Sequence, residues 1–145
     1  LLTQLVYTSS ATFEPASEAG LRHIAQILET ARRHNGQAGL SGFLLVGGDW
    51  FAQVLEGEAA AITGLFRRIL FDHRHTNVRL VEIRAARERL FGEWTMGSTA
   101  EPLYNLPLSP MMKPSPPGRL DFPFDRIIAC AMHEAQRLRE ASAKD

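Results

Sequence analysis

Four residues sit where their chemistry needs explaining: Gln53, Asn35, Tyr7 and Arg74. Gln53 lies in W-F-A-Q-V-L-E-G, residues 50–57, which alternates as a strand. Phe51, Gln53 and Leu55 share one face, and Ala52, Val54 and Glu56 the other. An amide on an apolar face must find partners, since an unpaired buried polar group costs roughly 1–3 kcal/mol. Gln53 is therefore either a core glutamine bonded to nearby backbone or the edge of an interior polar ligand site. Asn35 poses the same choice. It can cap a helix ending at His34-Asn35-Gly36, or it can extend the buried stripe, since it follows Ala31 and Ile27 by one and two turns. Tyr7 falls near the carboxyl end of a strand, where layered folds present ligand contacts, although a packed tyrosine is the commoner case. Arg74 stands between His73 and His75. Two histidines without a carboxylate set make a poor metal site, whereas a guanidinium here suits phosphate or polyol oxygens.

These residues must be positioned by a small set of elements. The 145 residues fit one domain, and sixteen Lys and Arg balance sixteen Asp and Glu. No net field recruits nucleic acid or an anionic membrane surface. No apolar run approaches a membrane span and no signal peptide is evident, so a soluble, cytoplasmic protein is expected. The single Cys130 excludes an internal disulfide and a cysteine-rich metal site.

The pattern predicts strands over residues 2–9, 40–46, 50–55, 78–85 and 91–97, the last with Trp94 and Met96 on one face. Helices are predicted from Ser17 to the His34-Asn35-Gly36 stop, over residues 59–71, and over residues 124–141. The first helix carries a stripe of Leu21, Ile24, Ile27, Leu28 and Ala31, with Arg32 largely outside it. The expected fold is α+β, a ferredoxin-like βαββαββ mixed sheet. Two helices pack on one face and a C-terminal helical cap on the other. Residues 1–98 form the core, residues 99–123 a proline-rich connector, and residues 124–145 the cap helix and tail.

Taken together, Tyr7-Thr8-Ser9, Ala31-Arg32 with Asn35, Leu40-Ser41-Gly42, F-A-Q-V-L-E-G at 51–57, Asp72-His73-Arg74-His75 and F-G-E-W-T-M at 91–96 resemble the BLUF domain. This is a blue-light sensor that uses flavin. The likeness spans residues 2–98, and Ser41 stands where threonine is usual. The resemblance implies a non-covalently bound FAD with its isoalloxazine between the two helices. Tyr7 and Gln53 match the pair whose hydrogen bonds to each other and to the flavin form the switch. Asn35 matches the residue at the flavin carbonyl edge and His34 one beside the ring. Ile27 and Ile69 match packing on the ring, and Arg74 a contact to the flavin tail. Trp94 and Met96 match a fifth-strand pair associated with output, with Ser9 expected to bond Trp94.

The chemistry suits these types. A phenol can supply an electron and a proton, and a primary amide presents a donor and an acceptor that rotation or tautomerisation exchanges. The implied function is a non-enzymatic photoreceptor acting through the fifth strand and terminal helix on a signalling partner, as a homodimer. An acylphosphatase-like enzyme would need an arginine and a glycine-rich anion nest after the first strand, and residues 8–20 hold neither. A ferredoxin-like ligand-binding or interaction domain without photoactivity is the remaining alternative.

Overall fold

In the computed structural model, residues 1–99, 114–115, 119–120 and 124–143 are described. The elements run β1 (Leu2–Ala11), α1 (Glu18–Ala38), β2 (Ser41–Val46), β3 (Trp50–Glu58), α2 (Ala59–Phe71), β4 (His75–Ala85), β5 (Gly97–Ser98), β6 (Pro114–Ser115), β7 (Arg119–Leu120) and α3 (Phe124–Ala143). β6 and β7 pair with each other, and the rest of the proline-rich connector lies outside the described residues apart from Thr99.

The main sheet has the order β4-β1-β3-β2-β5. Its pairs are antiparallel except β2 with β5, which are parallel. Strand alternation then builds two cores. Leu5, Tyr7, Leu44, Val46, Phe51 and Leu55 face α1 and α2, where they meet Ile24 and Ile62. Val6, Phe43, Leu45, Ala52 and Val54 face α3, where they meet Phe124, Ile127, Ala131 and Ala135. The expected α+β sheet, with two helices on one face and the terminal helix on the other, is the fold found.

The helix ends follow local chemistry. Ser17 caps α1, its Oγ accepting from the Gly20 amide at 2.9 Å. α1 continues past the expected stop at Gly36 and ends at Ala38, where Gly39 adopts a left-handed φ of 71°. The carbonyl of Asn35 accepts from the Gly39 and Leu40 amides, so the chain turns three residues later than predicted. Leu21, expected in the buried stripe, is exposed.

The largest departure is the fifth strand, which was expected over residues 91–97 and occupies only Gly97–Ser98. A ladder needs successive carbonyls to alternate sides. Here Thr95 O accepts from Asn35 Nδ2 at 2.8 Å and Met96 O from Arg32 Nε at 3.0 Å, so both turn to α1. The irregular stretch also separates the pair predicted to share a face. Trp94 packs on the α3 side against Phe43, while Met96 is buried on the α1/α2 side.

Glu56, fully buried, ties this stretch to β3. Its carboxylate accepts from Gln4 Nε2 (2.9 Å), Ser41 Oγ (3.1 Å), and the backbone amides of Leu90 (2.7 Å) and Phe91 (2.9 Å). Among the described residues, no helix is long and apolar enough to cross a membrane.

Candidate functional site

A cavity of about 250 Å³ opens between α1 and α2 above the sheet. Ile27, Ala31, His34 and Asn35 line it from α1, Leu65, Arg68 and Ile69 from α2, and Tyr7, Leu44, Phe51 and Gln53 from the sheet. Asp72, Arg74 and His75 close the side where α2 passes into β4.

The β1–β3 register sets Tyr7 directly opposite Gln53. The Tyr7 hydroxyl donates to Gln53 Oε1, and Gln53 Nε2 donates to the Met96 thioether at 3.2 Å. Phenol, amide and thioether thus form one buried chain, of which Tyr7 and Gln53 line the cavity. Burial, with the Asp72 charge second, pushes the Tyr7 phenol far above its ordinary range. It is neutral and holds its proton for Gln53.

Asn35 is wholly buried, and its Oδ1 has no partner among the described residues. One amide hydrogen goes to Thr95 O, and the carbonyl of the same amide is buried without a partner among the described residues. This is an acceptor awaiting a donor.

Arg74 is held by Asp72 through Nε and Nη2, the latter at 2.6 Å. Burial alone would raise the Asp72 carboxyl, but the hydrogen bonds and charge of Arg74 hold it below the usual carboxylate range. Arg68 Nη1 lies within hydrogen-bond reach of both ring nitrogens of His34. Tyr7, Gln53, Asn35, His34, Ile27, Ile69 and Arg74 are therefore brought to one cavity.

Ser9 and Trp94 are not. The expected Ser9–Trp94 bond is absent, because Ser9 Oγ meets His75 Nδ1 at 2.8 Å. The Ile69 carbonyl can only accept, so His75 Nε2, 2.9 Å away, is the donor there. His75 accordingly joins β1, the end of α2 and the start of β4. A register irregularity between Thr8 and Ser10, opposite Asn77 at φ 53°, accommodates this contact. Arg68 was overlooked in the sequence. It falls one turn before Asp72 on the α2 face that meets His34, a spacing that could have flagged it.

Residues 2–97 match the family described as sensors of blue-light using FAD. The chain belongs to the BLUF family. It is 41% identical over 101 residues to the photoactivated adenylate cyclase subunit beta of Euglena gracilis, covering 69% of this chain and 11% of that protein. It is 31% identical over 93 residues to the blue light- and temperature-regulated antirepressor BluF of Escherichia coli strain K12, covering 64% and 22%. The chain thus spans roughly a tenth to a fifth of the length of these curated relatives. Among solved structures it superposes on BlsA in the photo-activated state with TM-score 0.66 and 27% identity, covering 77% of this chain and 76% of that one. Dark-state BlrB, a BLUF protein, gives 0.61 and 31%, covering 67% and 70%.

BLUF domains use FAD. The residues here fit that cofactor. The edge of its ring carries an N–H between two carbonyls, complementary to the unspent Asn35 carbonyl, and Ile27 and Ile69 offer apolar walls from the two helices. Bound there, FAD supplies the blue-light absorption.

Proposed function

We propose that this chain is a blue-light receptor whose light-responsive pair is Tyr7 and Gln53. The observation that carries the reading is the buried chain from the Tyr7 hydroxyl through the Gln53 amide to the Met96 thioether, beside the unpaired Asn35 carbonyl. Asn35 would hold the polar edge of the cofactor ring, Ile27 and Ile69 would pack against it, His34 would lie beside it, and Arg74 would meet its tail, all five lining the cavity. Tyr7 keeps its proton in the dark and would stand beside bound FAD as a phenol able to give the light-excited ring an electron and a proton and to take both back on recovery. Reversal of the Gln53 amide exchanges donor for acceptor, so the hydrogen bond to Met96 cannot persist unchanged.

The change at Gln53 reaches the stretch before β5, where the Trp94 indole lies under Arg139 of α3, 5.0 Å from the guanidinium carbon, and Glu93 pairs with the same arginine. α3 then presents the signal to a partner protein, with the chain acting as a homodimer. Relatives named as photoactivated cyclases and an antirepressor support a downstream effector.

The test is the visible spectrum of the FAD-loaded protein in the dark, under blue light and during recovery. A small reversible red shift is the expected result. A flavin spectrum that does not move with light rejects the switch.

A further inference from the structure

Met96 is reached from two sides. Gln53 Nε2 donates to its thioether at 3.2 Å, and Arg32 Nε donates to its carbonyl at 3.0 Å. Arg32 and Asn35 are neighbours at i and i+3 on α1, and Asn35 takes the preceding carbonyl, that of Thr95, at 2.8 Å. Two side chains of one helix thus grip two consecutive peptide units, and β5 begins at the next residue.

The two grips are not equivalent. Asn35 lines the cavity, so its hold on Thr95 depends on what the rest of its amide is bonded to. Arg32 does not line the cavity and makes no ion pair among the described residues. Its hydrogen bond to Met96 is made outside the cavity lining. A methionine has three rotatable side-chain bonds and is poorly self-ordering. Holding its sulfur opposite one amide nitrogen requires that its backbone be fixed.

We propose that Arg32 is a positioning residue of the switch, its Nε–H fixing the Met96 carbonyl and so holding the thioether against the Gln53 amide. The proposal rests on reading Gln53 as the light-responsive amide. It concerns the hydrogen of Nε, not the charge of the guanidinium.

Glutamine places its Nε2 the same number of bonds from the backbone as arginine Nε, so Arg32→Gln keeps the donor and removes the charge. Arg32→Leu removes both. With the methionine methyls ¹³C-labelled and Met96 assigned by Met96→Leu, the flavin-free protein is the first readout. The Met96 resonance should move in Arg32→Leu and return in Arg32→Gln. In the FAD-loaded protein, dark recovery should change by about two- to tenfold in Arg32→Leu, the span of a single hydrogen bond, and by less than about twofold in Arg32→Gln.

An unmoved Met96 resonance in Arg32→Leu, or a glutamine that fails to restore it, overturns the proposal. A wild-type protein that binds FAD but shows no reversible shift rejects the photoreceptor reading instead. The methyl resonance still decides the role of Arg32.

Discussion

Tyr7 and Gln53 face each other across two strands because both occupy inward positions of paired, alternating segments. Gln53→Leu roughly keeps the volume and removes both the carbonyl and the NH2 of the amide, so the variant should bind FAD and show no normal red shift on illumination. A full reversible shift would reject the assigned role. Tyr7 also makes a pH prediction. Its phenol is raised in the folded state, so its contribution to stability is intact below the ordinary tyrosine range near 10 and is lost as pH rises beyond it. At one pH unit above 10 the loss is about 1.4 kcal/mol. Denaturant titrations at pH 9 and 11 should show wild type losing about that much more than Tyr7→Phe. Equal losses would place the phenol in a solvated setting.

Gln53 and Asn35 were legible because polar groups on apolar stripes are conspicuous, whereas Tyr7 stood out only by its place near a strand end and by the family likeness. Arg32 was not, since a helical projection puts it on the wet face and cannot show that residues 95–96 cross there. The hydrogen-bond partner of Ser9 was not legible for a similar reason. Its partner depends on the irregular β1–β4 register, which alternation does not encode.

At the level of elements, α1 had two glycines that could end it, Gly36 and Gly39, and only Gly39 takes the left-handed conformation. Gly39→Ala should cost about 1–2 kcal/mol of strain even though a methyl meets nothing within 4 Å. Chemical denaturation would show this as a lower midpoint with unchanged slope. β2, β3 and α2 were readable from period alone. The β5 region was not, because F-G-E-W-T-M alternates like a strand while α1 claims two of its carbonyls. Glu56 gives that region its second anchor. Glu56→Ala leaves two backbone amides and two side-chain donors unpaired in the interior, a loss of about 3 kcal/mol or more. A loss under 1 kcal/mol by denaturant titration would mean that water replaces the carboxylate.

Across the whole molecule, the sheet separates the cofactor cavity from α3, and the stretch before β5 touches both sides. Trp94→Ala should leave FAD binding intact and alter recovery rate or partner response, because the indole sits under α3 and away from the cavity. Unchanged recovery and response would remove Trp94 from the output path. The proposed homodimer is checked by light scattering after size exclusion. Monomers at micromolar concentration in light and dark would reject it.

The divided bonding of Asn35 carries one further consequence. Its amide serves Thr95 with one end and has no partner at the other among the described residues, so a cofactor bonded to the free end would share a single side chain with Thr95. Coupling between equilibria is reciprocal. If the cofactor favours one arrangement of residues 93–96, any protein that grips that arrangement tightens the cofactor by the same factor. One that grips the alternative loosens it. In the proposed receptor, affinity for the chromophore would then be a gauge of what is bound on the far side of the sheet, and it could be read in complete darkness.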